Sequence, residues 1–175
     1  MRYRLFRVIL AALCRTRNLS FQDESVLGFT VMPWDCVVKY VGNDRYPAFL
    51  DLGRIDLLIR LGGWRALVHE RLQPFVFTAD IQYRHRLRLF QSFDLRSRLV
   101  HTDRNFFWME HIFQCGQLIM ATAISKSGMT FCNRLVSTSN VLRLLYGENT
   151  RPPYPEKSIN IVNGVERLLR SLKGD

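Results

Sequence analysis

The stretch Asn43-Asp-Arg-Tyr-Pro-Ala-Phe-Leu-Asp-Leu-Gly-Arg-Ile-Asp-Leu-Leu-Ile-Arg-Leu61 decides how the rest of the chain folds. Pro47 falls in the first turn of a helix, where a missing N–H costs nothing, and Asp44 is placed to cap that helix. From Phe49 onward apolar residues (Phe49, Leu50, Leu52, Ile55, Leu57, Leu58) recur on nearly every side of the cylinder, and Gly62-Gly63 ends it. A helix that is apolar all round is a buried one. Asp51 then lies inside the apolar cylinder, sharing a face with Ala48, Ile55 and Leu58. A buried carboxylate needs a partner or a chemical task, and Arg54, one turn on, is the partner at hand.

Outward from that helix, Ser25 to Pro33 predicts a strand, Trp34 to Gly42 a turn region and Trp64 to Glu70 a short helix. In Pro74 to Tyr83, Phe75, Phe77, Ala79, Ile81 and Tyr83 alternate with Val76, Thr78, Asp80 and Gln82, the period of a strand with one buried face. Phe90 to His101, Asn105 to Cys115 and Gln117 to Ser125 read the same way, and their short connections suit antiparallel hairpins. Ser127-Gly128 reads as a further turn before a last strand, Met129 to Leu135. Ser139 to Tyr146 predicts a short helix, and Ser158 to Lys173, after the linker Arg151-Pro-Pro-Tyr-Pro155, an amphipathic one. A helix apolar on all sides, followed by antiparallel strands, calls for a twisted sheet curled around it. The expected class is α+β, with a five- to six-stranded antiparallel sheet wrapped around one long buried helix. It divides into a basic N-terminal helix and lead-in (1–24), the core domain (25–147), and a linker with a C-terminal helix (148–175).

The chain of 175 residues is long enough to bury a core, and it carries a formal net charge of +10. Arg2, Arg4, Arg7, Arg15 and Arg17 all precede the first acidic residue. A basic excess suggests nucleic acid, a phospholipid surface or a phosphorylated cofactor, with an ordinary solvated surface as the alternative. Cys14, Cys36, Cys115 and Cys132 are far apart and form no C-x-x-C pair, so neither a disulfide framework nor a metal site is expected, and a reducing, cytoplasmic setting is. No segment reaches the ~18 to 20 uninterrupted apolar residues of a membrane span. The run Val8 to Cys14 is short for a signal sequence and is closed by Arg15 and Arg17. Residues 1–17 instead read as a basic amphipathic helix that lies on the domain or makes peripheral contact with an anionic membrane. Trp108, Phe106, Phe107, Phe113 and Phe131 follow strand alternation, which favours core packing over base stacking, so no nucleic-acid partner is expected.

The stretch Trp34-Asp-Cys-Val-Val-Lys-Tyr-Val-Gly-Asn-Asp-Arg-Tyr46, followed by Asp51-Leu-Gly-Arg54, carries a resemblance. It is similar to the pattern D-x-D-x-x-x-H-x-N-N-x-x-Y, then D/E-x-x-R, of hotdog-fold acyl-CoA thioesterases of the 4-hydroxybenzoyl-CoA thioesterase-like branch. Asn43, Arg45, Tyr46, Asp51 and Arg54 match, and Asp35 matches the first Asp with a one-residue gap. The second Asp, a catalytic carboxylate in that group, falls on Cys36 or Val37; the His falls on Tyr40 and the first Asn on Gly42. The resemblance implies the hotdog fold and hydrolysis of a fatty or aromatic acyl-CoA, with coenzyme A as part of the substrate and no metal or redox cofactor. It also implies a homodimer or dimer of dimers formed edge to edge, with active sites at the subunit boundary. The altered turn favours the alternative, a degenerate hotdog protein that binds acyl-CoA or a protein partner without cleaving it.

Thioester hydrolysis needs a carboxylate to activate water or attack the carbonyl, and donors to hold the oxyanion. Asp51 is the first candidate for the carboxylate, against a purely structural pairing with Arg54, and Asp35 is the second, against an Asx-turn role. The amides near Asn43 to Tyr46 suit the oxyanion, and Asn43 itself orients water or carbonyl unless it is an ordinary cap. Tyr40 stands where relatives carry His and is a donor to the carbonyl or a buried aromatic. Arg84, Arg86 and Arg88 share one side of an extended chain, either to grip the phosphates of coenzyme A or as a solvated face; Arg45, Tyr46 and Arg54 complete the expected binding set.

Overall fold

The structure, a computed structural model, describes residues 2–14, 19, 23–63 and 67–146. The linker at 151–155 and the helix expected over 158–173 lie outside them, as does the start of the helix expected at 64–70. The described chain runs α1 (Arg2–Cys14), β1 (Glu24–Thr30), a 3-10 turn (Pro33–Asp35) and the small hairpin β2 (Cys36–Val37) and β3 (Tyr40–Val41). A second 3-10 turn (Asn43–Arg45) leads into α2 (Tyr46–Leu58). There follow β4 (Gln73–Tyr83), β5 (Ser92–Thr102), β6 (Phe107–Cys115), β7 (Leu118–Phe131), β8 (Arg134–Val136) and α3 (Thr138–Tyr146).

All strand pairs are antiparallel, in the order β1-β5-β6-β7-β4 with β8 beside β7. The sheet curls around α2, whose Phe49, Leu50 and Leu57 are fully buried against sheet residues such as Leu95 and Phe113. Gly53 lets the helix approach: a Cβ there would stand 2.5 Å from Ser97 Oγ and 3.0 Å from Leu95 Cδ2. Gly62, at φ 85°, turns the chain away after a widened last turn over Ile59–Gly63. Of the two surroundings expected for the first helix, the structure shows the domain. Val8 and Ala12 of α1 are buried, and Phe6 and Leu10 point outward.

Three local expectations fail for tertiary reasons. Ser127-Gly128 is strand, not turn, because both residues pair with Val76 and Phe75 of β4. Gly128 is there for packing, since a Cβ on it would meet the Phe75 ring at 2.7 Å. The turn comes later, at Cys132 and Asn133, both with positive φ. Along β4 a bulge between Val76 and Thr78 breaks the alternation and leaves Phe77 exposed. Asp44 caps nothing: its carboxylate pairs instead with Arg45 Nε at 3.3 Å.

Beneath α2 the sheet holds a buried polar row. Ser97 Oγ and Ser125 Oγ lie 2.9 and 3.0 Å from Nδ1 and Nε2 of His111. Burial, then the Arg54 charge, pulls the His111 pKa from 6.5 to about 3. A histidine in the unfolded chain takes its proton near 6.5 and this one only near 3, so the fold is penalised as pH falls through that window. Above 6.5 the contribution is fully present; below it, stability drops by about 1.4 kcal/mol per pH unit. Urea midpoints measured between pH 7 and pH 4 should fall more steeply for the native protein than for His111→Gln; parallel slopes would contradict it.

Candidate active site

The turn before α2 holds the first of the two candidate carboxylates. Asp35 ends a 3-10 turn and is 2% exposed. Arg4 of α1 donates Nη1 to Oδ1 at 2.8 Å and Nη2 to Oδ2 at 2.7 Å, and the Met32 amide donates to Oδ2 at 2.9 Å. Arg4 also donates to the Thr30 carbonyl at 2.9 Å and lies 5.1 Å from the Phe49 ring centroid. Asp35 is thus held between a two-pronged cation and a backbone amide, with its oxygens already occupied.

At the leading end of α2 the Arg45 amide is committed to the Gly42 carbonyl, and Pro47 has no N–H. The first amides of the 3-10 turn, those of Asn43 and Asp44, are the donors this end has to offer an oxyanion. Tyr83 Oη donates to the Asn43 carbonyl at 3.4 Å. Tyr46 is core: its ring packs edge-on against Tyr83 and Phe113, and it is 2% exposed. Burial pushes its hydroxyl pKa up, offset by a hydrogen bond from the Leu87 backbone. That corrects its place among the ligand-binding residues to one of support.

Arg84, Arg86 and Arg88 are exposed, but they sit on the loop between β4 and β5 rather than along a strand. The hairpin β2–β3 zips onto this loop, with Val41 N donating to Leu87 O and Leu89 N to Lys39 O, both at 3.0 Å. Tyr40 is thereby set against the loop, with Arg86 5.4 Å above its ring and a β-bridge to Arg88. Tyr40, Asn43, Arg86 and Arg88 therefore gather at one end of the helix. Neither a strand nor period two was needed for that.

Along the outer face of α2 runs a cavity of about 350 Å³, within the ~300–1,000 Å³ range of small-molecule sites. Its walls are mostly apolar: Leu52, Ile55 and Leu58 of α2 face Phe75 of β4, Met109 of β6 and Met129 of β7. Asp51 stands at this cavity and is 59% exposed, so it is not enclosed as the helical pattern implied. The face carrying Ala48, Asp51 and Ile55 is the one the sheet leaves open. Asp51 Oδ1 pairs with Arg54 Nη2, and Arg54 is only 11% exposed. Burial lowers the Arg54 pKa, and Asp51 opposes that shift. The enclosed carboxylate of the helix is Asp56, hydrogen-bonded by Ser25 Oγ, with Arg60 Nη1 3.7 Å away.

A model of the thioesterase-like superfamily matches residues 31–145, the span that holds the turn, α2 and the sheet. This chain belongs to the thioesterase-like superfamily.

Protein THEM6 of Drosophila melanogaster is 23% identical over 174 residues, covering 98% of this chain and 88% of that protein. Among solved structures, the probable thioesterase YbaW of Escherichia coli superposes with a TM-score of 0.62 at 17% identity, over 72% of this chain and 98% of its own. A gentisyl-coenzyme A thioesterase gives 0.60 at 18% identity, over 70% and 98%. A mutant 4-hydroxybenzoyl-CoA thioesterase, complexed with 4-hydroxybenzoyl-CoA, gives 0.61 at 14% identity, over 70% and 98%. These likenesses establish the hotdog fold expected of a superfamily member.

Within the superfamily frame, the structure separates the two candidate carboxylates: Asp51 is at the cavity, and Asp35 is locked to α1. Sequence reasoning missed Arg4 as the partner of Asp35, 31 residues away, and missed Ser127 and Met109 as cavity wall. The only available signal for Met109 was its place in an alternating strand, which does not say which buried residues border open space.

Proposed function

We propose that this chain is an acyl-CoA thioesterase-like hydrolase that seats the acyl group of a fatty or aromatic acyl-CoA in the cavity along α2. The observation that carries the reading is an accessible carboxylate, Asp51, at a mostly apolar slot that runs along α2. Asp51 attacks the thioester carbonyl or activates water. The Asn43 and Asp44 amides stand seven to eight positions earlier, about 10 Å along the axis, too far to hold the oxyanion of that same carbonyl. Tyr40, Arg86 and Arg88 receive the coenzyme A portion, with Arg45 and Arg84 as outlying cations.

β4 is an edge strand and walls the cavity through Pro74, Phe75 and Val76, so a second copy pairing along this edge would close the slot. No helix among the described residues is long and apolar enough to cross a membrane. The outward Phe6 and Leu10, with Arg7, leave α1 suited to a peripheral contact with anionic lipid.

A second reading, binding without hydrolysis, is favoured by one observation: the carboxylate nearest the family's catalytic turn, Asp35, is fully engaged by Arg4. A panel of acyl-CoAs followed by release of free thiol separates the two. Turnover of any member supports the hydrolase, and thermal stabilisation without turnover supports the binder.

Replacing Arg84, Arg86 and Arg88 together by Gln should raise KM for an acyl-CoA about tenfold with kcat unchanged, the signature of lost uniform binding. An unchanged KM would return these residues to an ordinary solvated surface.

A further inference from the structure

Two polar side-chain atoms at the cavity have no hydrogen-bond partner among the described residues. Ser127 Oγ and Arg54 Nη1 are both buried and unbonded, although their neighbours are satisfied. Ser125, two residues from Ser127 on the same strand face, is occupied by His111, and Arg54 Nη2 is occupied by Asp51. Ser127 lies inside the sheet, in register between Phe107 of β6 and Val76 of β4. Buried polar groups are almost always paired in folded proteins, and one left unpaired destabilises the empty molecule.

We infer that the group seated in this cavity carries a hydroxyl at its buried end, which accepts from Arg54 Nη1 and exchanges a hydrogen bond with Ser127 Oγ. A guanidinium only donates, so the shared group accepts there, and of the oxygens that accept only a hydroxyl can also donate to a lone pair of Ser127 Oγ. Asp51 already balances the Arg54 charge, which makes a neutral hydroxyl a better complement than a carboxylate that would face Asp51. The rest of the wall (Leu52, Ile55, Leu58, Phe75, Met129) demands an apolar body. An alkyl or aryl group ending in a hydroxyl meets both requirements. That this group is an acyl group rests on the reading of the site as a thioester slot; the hydroxyl preference does not.

The test uses probes with neither thioester nor coenzyme A, so its failure is distinct from a failure to turn over acyl-CoA. The full chain is titrated with para-pentylphenol and with para-pentyltoluene, which differ by a hydroxyl in place of a methyl. The phenol should bind about tenfold tighter, and Ser127→Ala should abolish that preference while the toluene still binds. Without ligand, Ser127→Ala should raise Tm by about 2 °C, because it removes an unpartnered buried hydroxyl. Equal or weaker binding of the phenol, a preference that survives in the variant, or no binding of either probe would overturn the inference. A lowered Tm of the unliganded variant would overturn it too, by showing that a bound water or another partner already serves the hydroxyl.

Discussion

Asp51→Asn should lower kcat on any acyl-CoA the protein cleaves by about 10²- to 10⁴-fold, the range expected when a positioned base is removed. The amide keeps the shape of the side chain and an acceptor for Arg54, but it can neither take a proton from water nor attack a carbonyl. Asp51 itself is largely exposed, but its partner Arg54 is only 11% exposed and loses its counter-charge, so Tm should fall by a few degrees while the protein stays folded. Loss of turnover in a protein that still folds, with Tm only a few degrees lower, is therefore the expected pair of results. Full turnover in a folded Asp51→Asn protein would remove Asp51 as base or nucleophile and leave it as the structural partner of Arg54.

Asp35→Asn should do the reverse. It takes the counter-charge from Arg4, which is only 12% exposed. Breaking a buried pair from one side costs about 3 kcal/mol, or about 6–12 °C in Tm for a chain of this size. Arg4→Ala should cost a similar amount by leaving the Asp35 carboxylate unpaired. The double variant should lose less than the sum, because both substitutions remove the same interaction. Thermal melts check the energies. Measured below the lowered Tm, kcat of Asp35→Asn should remain within a few-fold of the native value. A folded Asp35→Asn protein without activity would move the catalytic role to the turn.

The contrast between these two carboxylates shows how far the sequence could be read. The buried helix was legible because Pro47 and Gly62 punctuate it and its apolar residues leave little room for another surface. The strands were legible where alternation held, as along Ser92–Leu99 of β5, before the irregularity that skips Val100. Which face of α2 the sheet would leave open was not legible, since apolar residues lie on every side of it. Asp51 and Asp56 sit five positions apart, about 140° around the helix, and only the docking of Gly53 on Ser97 and Leu95 decides which of them is enclosed.

The Ser127-Gly128 pair failed for a related reason. Its local chemistry suggests a turn, but the ring of Phe75, more than fifty residues earlier, needs a strand glycine beneath it. Asp35 reads as an Asx-turn residue, and it does accept the Met32 amide, but the arginine that holds it lies on another element. The cavity was invisible to any pattern, because patterns report what is buried and not what is left unfilled. The residue types expected at the site were therefore found more readily than the arrangement that gives each its role.

The most direct measurement is a crystal structure of the full chain with a non-hydrolysable thioether analogue of dodecanoyl-CoA. The account predicts the alkyl chain between α2 and the sheet, against Leu52, Ile55, Phe75 and Met109, with the sulfur within reach of Asp51 and the pantetheine leaving past Tyr40. An alkyl chain bound elsewhere, with this cavity empty, would contradict it.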